Sequence, residues 1–309
     1  MNSSPRPVPR KRSAPYAPHL AYWGRPLRDR EPEGSITPLA VATPDGLTLF
    51  AQSTGNPDGP GIVFIHGYSQ CHLAWRRQMA DPALAAEFRM VAYDLRGHGL
   101  SDKPPEPERY RDDRVWADDL AAVIAAAGVK RPVLVAWSYA GRIVSDYVRA
   151  HGQDRIAGIN YVAALTKTDR AQLGPEIRHT VAMASDDLTT NIRASRKFVH
   201  ACFGGRPVGE EMDITFAYTM LVPAKVRAAV MDRSRNTGDM LAELKVPVLV
   251  THGAMDRIIA PAAGRHTVSA VAGARLSIYE GVGHSPFFED APRFNRELAE
   301  LTRAVQSAA

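Results

Sequence analysis

Ala136-Trp137-Ser138-Tyr139-Ala140-Gly141 stands between a short apolar run at 132–135 and a helix-like stretch that holds Ile143, Val144 and Val148. A serine among small residues at such a strand-to-helix turn is lifted clear of the sheet. There its hydroxyl can attack a carbonyl, and the next backbone N–H can bind the resulting oxyanion. Ser138 is therefore a candidate nucleophile. So tight a turn favours glycine two positions before and two after the serine. Both positions are alanine here, the smallest departure from glycine, and Gly141 one step later lets the helix approach the strand. The competing reading is an ordinary helix N-cap, whose hydroxyl accepts from an N2 or N3 amide. Residues elsewhere in the chain must separate the two.

Outward from this turn, strand-like and helix-like segments alternate. Short apolar runs at 62–65, 90–93, 133–137, 159–163, 246–250 and 276–279 read as strands buried on both faces. Between them, 73–87, 113–127, 139–150, 262–271 and 292–305 have helical composition and spacing. Two further β-like runs, 38–43 and 47–52, meet at Asp45-Gly46, a hairpin turn signal. The pattern predicts an α/β fold with a mostly parallel eight-stranded sheet, doubly wound, with helices on both faces.

One interval breaks the rhythm, because about 80 residues separate the strand at 159 from the strand at 246. Apolar residues recur at helical spacing in 177–183, 188–203 and 222–231, and Gly204-Gly205-Arg206-Pro207 interrupts the middle. We expect a helical cap over 166–244 above the carboxyl edge of the sheet, where ligands of open α/β sheets bind. Phe198, Phe203 and Phe216 in the cap, with Trp137 beneath it, are the candidate walls of an apolar substrate pocket. Packing against the main domain is the commoner fate of such residues. The core then occupies 35–165 and 245–309, and 1–34 form a tail.

The chain has 309 residues, 45% of them hydrophobic and 23% charged, which is the composition of a globular protein with one large domain or two moderate ones. Its net charge of +5 lies in the tail: residues 1–30 carry +6, so the remainder sums to −1. A nearly neutral body gives no reason to expect a nucleic-acid partner. Six prolines among the first 30 residues, with no apolar run of signal-peptide length, predict a poorly ordered arm and no export signal. Cys71 and Cys202 form no CxxC or Cys/His cluster in sequence, which argues against a disulfide scaffold or a zinc site. No stretch approaches the roughly 20 apolar residues that span a bilayer. These features fit a cytoplasmic enzyme; the sequence does not specify its oligomeric state.

Serine nucleophiles need a base that titrates near neutrality and an acid that orients it. Among ten histidines, His284 stands out because Gly281-Val282-Gly283-His284-Ser285-Pro286 follows the last strand. Asp256 lies in Thr251-His252-Gly253-Ala254-Met255-Asp256-Arg257, after the preceding strand. It reads as the orienting acid, or as a helix cap or a partner for Arg257. The chain order Ser138, Asp256, His284, each after a strand, is that of α/β-hydrolases. A second oxyanion donor must come from the loop after an early strand, where His66-Gly67-Tyr68 places the Tyr68 N–H beside that of Tyr139. His66 is assigned a hydrogen-bonding role in holding that loop.

These residues bring the chain close to a known group. FIHGY (64–68), YDLRGHGLSDKP (93–104), AWSYAG (136–141), THGAMDR (251–257) and GVGH (281–284) together resemble a serine α/β-hydrolase of the haloperoxidase and epoxide-hydrolase-like branch. The resemblance covers about 40–305 and says little about the cap. It implies Ser138 as nucleophile, His284 as base, Asp256 as acid, and Tyr68 and Tyr139 as oxyanion donors. It gives Asp94, Arg96 and His98 the work of shaping a loop. Epoxide hydrolases and haloalkane dehalogenases of this branch carry aspartate at the elbow, so serine argues for acyl chemistry instead. The implied function is cofactor-free hydrolysis of a small hydrophobic ester or lactone, with no metal. Perhydrolysis, C–C bond hydrolysis and acyl transfer would use the same triad. A fold retained only for ligand binding is the reading from another class.

Overall fold

A computed structural model of the chain describes residues 36–167, 169–205, 209–233 and 239–307. The tail expected over 1–34 lies outside the described residues. Eight strands form one sheet: β1 (Thr37–Ala42), β2 (Thr48–Gly55), β3 (Gly61–Ile65), β4 (Arg89–Tyr93), β5 (Val133–Trp137), β6 (Gly158–Val162), β7 (Val248–Gly253) and β8 (Arg275–Tyr279). Their order is β1-β2-β4-β3-β5-β6-β7-β8. β1 and β2 pair antiparallel with each other, and β2 pairs antiparallel with β4. Every other pairing is parallel. The central strands β3, β5, β6 and β7 are buried at every position, as strands covered on both faces are.

The helices are α1 (Arg76–Met79), α2 (Pro82–Glu87), α3 (Asp113–Ala126), α4 (Ala140–His151), α5 (His179–Met183), α6 (Leu188–Ala201), α7 (Glu210–Met220), α8 (Ala224–Met231), α9 (Pro261–Ala270), α10 (Pro286–Glu289) and α11 (Ala291–Ser307). α5 to α8 lie between β6 and β7 and form the insertion. Asp side chains mark several starts: Asp81 accepts from Leu84 N at α2, Asp112 from Arg114 N at α3, and Asp187 from Thr190 N at α6.

Four boundaries correct the sequence reading. The helix expected over 73–87 is broken into a 3₁₀ turn (His72–Trp75), α1 and α2, because Pro82 has no N–H to continue α1 and instead starts a new helix behind the Asp81 cap. The strand expected over 246–250 begins at Val248, after Pro247, and runs on to Gly253, so Thr251, His252 and Gly253 are strand residues. β6 stops before Ala163, whose φ of +45° cannot continue a strand. α7 lies in a stretch assigned to no element: apolar side chains occur all around it, without the one-sided stripe that marks an amphipathic helix.

The insertion touches the loops at the carboxyl ends of the strands. Tyr68 OH, after β3, donates to the Arg227 carbonyl of α8 at 3.5 Å. Arg233, just beyond α8, donates to Tyr139 OH, after β5, at 3.0 Å. Among the described residues no single helix is long and apolar enough to cross a membrane; α7 and α8 pass that test only as a pair bent by 77°.

Candidate active site

Ser138 holds φ at +57°, a left-handed conformation that β-carbon-bearing residues avoid and that stores on the order of 1–3 kcal/mol of strain. Hydrogen bonds fix it there. Ser138 N donates to the Val162 carbonyl at 2.9 Å, and the Ser138 carbonyl accepts from Leu165 N at 2.9 Å and Gly141 N at 3.1 Å. Ser138 is not the helix N-cap: α4 begins at Ala140, with Tyr139 in the cap position and no side-chain cap. Ala136 and Ala140 are fully buried, so the two methyl groups fit. The close approach falls on Gly141, where a Cβ would stand 2.8 Å from the Leu165 carbonyl oxygen.

His284 and Asp256 meet. His284 Nδ1 is 2.7 Å from Asp256 Oδ2, and both side chains are buried. Asp256 Oδ1 accepts from Ile258 N at 2.8 Å and Ile259 N at 3.0 Å. The turn-forming role and the histidine-orienting role thus fall on separate oxygens of one carboxylate. Arg257 is not its partner, since that guanidinium pairs with Glu176 at 2.8 Å. Burial pushes the Asp256 pKa up, but the His284 charge and hydrogen bonds from His252 and His284 outweigh it and hold the value near 2. The carboxylate is therefore ionised throughout the working range. His284 Nε2 is buried and has no hydrogen-bond partner.

Trp137 connects the His284 loop to the turn that carries Ser138. Its Nε1–H donates to the His284 carbonyl at 2.8 Å, and the two rings lie 5.5 Å apart. The residue before Ser138 thereby holds the loop that carries His284. Glu289 holds the other side of that loop: Oε1 accepts from Gly283 N at 2.8 Å, and Oε2 accepts from Gly204 N at 2.8 Å and Gly205 N at 3.3 Å. Sequence reasoning missed the bonds of both residues. The only signal for Glu289 was an acid at the start of a helix five residues after His284.

Tyr68 and Tyr139 sit at the head of the loop after β3 and at the start of α4. Tyr68 packs its ring edge-on against Phe198 at 6.3 Å. Tyr139 OH receives Arg233 Nη1, while Arg233 is buried and ion-paired to Asp146 and Asp113. Phe203 lies 5.4 Å from Phe288 and, with Trp137, Val199, Tyr218 and Phe287, walls a narrow cavity between insertion and core. Phe198, packed on Tyr68, does not line that cavity, and neither does Phe216. Phe216 is half-buried on α7, under the Arg196 guanidinium at 5.2 Å.

His66 and His98 brace the loops after β3 and β4. His66 Nδ1 meets the Gly67 carbonyl at 2.8 Å and its Nε2 accepts from Leu95 N at 3.0 Å. His98 repeats the arrangement, with Nδ1 on the Arg96 carbonyl at 2.9 Å and Nε2 accepting from Ser69 N at 3.3 Å. In each ring the accepting Nε2 fixes the Nδ1–H tautomer. Burial lowers their pKa values to about 4 and about 3, so both stay neutral. Arg96 is bidentate to Asp119, with both bonds at 2.7 Å.

Among the described residues, Cys71, His72 and Asp94 form the one group whose potential metal-ligating atoms lie within 4.8 Å of one another. Their hydrogen bonding is that of a loop brace. Asp94 Oδ1 accepts from His72 N at 2.6 Å, Oδ2 accepts from Leu100 N at 2.7 Å, and His72 Nδ1 contacts both oxygens. Burial pushes the Cys71 thiol well up, so it keeps its proton.

A sheet of this order, with a strained serine after β5 and a histidine–aspartate pair after β8 and β7, defines an α/β-hydrolase fold. The chain belongs to the alpha/beta hydrolase family, whose pattern matches residues 62–297. It is a hydrolase of this superfamily, and its relatives carry esterase and haloperoxidase names. It is 34% identical to the esterase RhEst1 from Rhodococcus sp. ECU1013, covering 88% of this chain and 99% of that one with a TM-score of 0.80. It is 28% identical to the bifunctional esterase/perhydrolase DCH of Acinetobacter calcoaceticus, over 85% of this chain and 99% of that protein. It is also 28% identical to a non-heme chloroperoxidase of Streptomyces lividans, over 85% of this chain and 99% of that protein.

Proposed function

We propose that the protein is a serine hydrolase that cleaves a small hydrophobic carboxylic ester or lactone through an acyl-enzyme. The observation that carries this reading is the His284–Asp256 bond of 2.7 Å, with His284 Nε2 left bare and its loop tied to the residue before Ser138. His284 Nε2 removes the proton from Ser138 Oγ as Oγ bonds to the substrate carbonyl carbon. Tyr68 and Tyr139 amides stabilise the oxyanion that forms. The C–O bond to the alcohol then breaks, and the alcohol leaves with the proton from His284. Water attacks the acyl-enzyme with the same histidine as base, and the acid and free Ser138 are released. Asp256 stays ionised and keeps the Nδ1–H tautomer of His284 in place. Each step uses protein groups and water.

The helices between β6 and β7 serve in this reading as a cap over 166–244, and Trp137 and Phe203 as walls of the acyl pocket. Their apolar character supports an uncharged substrate. Two buried free thiols, Cys71 and Cys202, support a reducing, cytoplasmic setting. Peroxide in place of water as acceptor is the second reading, favoured by the similarity to DCH, a bifunctional esterase/perhydrolase.

A fluorophosphonate probe and a short p-nitrophenyl ester test the assignment. The wild-type chain should label once and turn over the ester, while Ser138→Ala should lose labelling and at least 10³-fold in kcat, the order expected for a triad member. Labelling that survives the substitution overturns it. Added peroxide that diverts the acyl group to peracid identifies the second reading.

A further inference from the structure

The segment from Thr251 to Asp256 brings two side chains to the site, and the proposed mechanism uses one of them. The other is His252, fully buried near the carboxyl end of β7. Its Nε2 lies 3.0 Å from the Ile259 carbonyl oxygen and 3.2 Å from Asp256 Oδ2, the oxygen that His284 Nδ1 meets at 2.7 Å. A carbonyl and an ionised carboxylate only accept, so Nε2 carries a proton. Nδ1 is buried without a hydrogen-bond partner, and a second proton there would be an unpaired buried donor. His252 is thus a neutral Nε2–H donor forked between two acceptors. The fold makes room for the ring: a Cβ at Gly264 of α9 would stand 2.9 Å from Nδ1.

We propose that His252 is a positioning residue for the triad, which holds Asp256 Oδ2 through its Nε2–H and draws off part of the negative charge that His284 would otherwise feel. This rests on Asp256 and His284 acting as described above. The consequence has a definite sign. Without the donor, Oδ2 turns more of its charge on His284, and the attraction favours the imidazolium form. A general base must be unprotonated, so the acidic limb of kcat/KM moves to higher pH. The other titratable groups beside the pair are Cys202, at the end of α6, and Glu289 in α10. All variants below keep both.

The test is the pH profile of kcat/KM on a p-nitrophenyl ester for the full chain and for His252→Phe, His252→Gln and Asp256→Ala. In His252→Phe the plateau should fall about tenfold and the acidic limb should rise by about half a pH unit, the scale of one shared hydrogen bond. His252→Gln keeps an N–H near the Nε2 position and should restore both toward wild type. Phe and Gln variants that lose activity equally, with an unmoved limb, overturn the proposal and leave only the volume of the ring. An inactive Asp256→Ala beside that result keeps the triad and removes only the role of His252; an active Asp256→Ala removes both. Histidine-¹⁵N NMR of the wild-type chain decides the matter even where His252→Phe fails to fold. One imidazole should stay the neutral Nε2–H tautomer while His284 titrates, and a His252 that carries Nδ1–H or takes a second proton overturns the proposal.

Discussion

Trp137 shows how a residue acts at the proposed site without touching the reacting atoms. Its indole N–H is spent on the His284 carbonyl, which ties the Ser138 turn to the His284 loop. Trp137→Phe keeps most of the ring and removes the donor. The freed carbonyl belongs to His284, so in the proposed mechanism a shift of a few tenths of an ångström reaches the proton transfer directly. We expect kcat on a short p-nitrophenyl ester to fall about tenfold, with KM changed less than threefold and a loss of stability of about 1 kcal/mol in urea unfolding. A KM effect alone would make Trp137 a pocket wall rather than a tether. The pairing of His284 with Asp256 was legible in sequence because each follows a strand, and strand ends on one edge of a parallel sheet are brought together by the fold itself. The Trp137 bond was not legible, because its partner is a backbone carbonyl 147 residues away, and no residue type signals a carbonyl.

At the scale of elements, α8 is the piece of the insertion that reaches both tyrosines. Arg227 O receives Tyr68 OH, Val230 O receives Tyr139 OH at 3.4 Å, and Arg233 beyond the helix end donates to Tyr139 OH. Arg233 also donates through Nε to Asp113 at 2.9 Å and pairs with Asp146. Arg233→Met would leave Asp146 buried without that cation, and removing one partner of a buried pair typically costs about 3–5 kcal/mol. Burial already raises the Asp146 pKa to about 6, against the pull of Arg233, so the orphaned carboxyl can take up a proton instead. The loss should therefore be several kcal/mol at pH 8 and clearly smaller at pH 5, as read by urea unfolding. Hydrogen exchange should quicken first in α8. An equal loss at both pH values would place the damage elsewhere. Elements were legible where periodicity was one-sided, as in α4, and illegible where it was not. α7 was lost because its apolar side chains fall on every face, and the breaks at Pro82 and Pro247 were lost beneath longer apolar runs.

Over the whole molecule, buried titratable groups pull stability in opposite directions, and their windows decide its pH dependence. His66 and His98 have folded pKa values near 4 and 3, below the 6.5 of an unfolded histidine. The unfolded chain therefore binds protons first, and their contribution is full above pH 6.5 and drains away as pH falls toward 4 and 3. Asp119 and Asp146 are the reverse case: burial raises both to about 6, against an unfolded value of 3.8. The folded chain takes up those protons first, so stability gains as pH falls from 6 to 3.8. Two groups on each side act over about the same two pH units, and their effects offset. Below pH 3.8 the offset ends. Asp94 and Asp256, each held near 2 despite burial by histidine partners, then lose their contributions as they protonate, and His98 is still losing its own. The expected profile of urea midpoint against pH is a shallow shoulder from 6 to 4 followed by a steep fall below 4. His98→Asn, less stable at neutral pH, should tilt the shoulder upward toward low pH because one of the two opposing histidines no longer titrates. A steep monotonic decline that begins at pH 6.5 in the wild-type chain would mean that Asp119 and Asp146 are ionised at neutral pH with ordinary affinity for protons. Their ion pairs with Arg96 and Arg233 would then outweigh the burial that surrounds them.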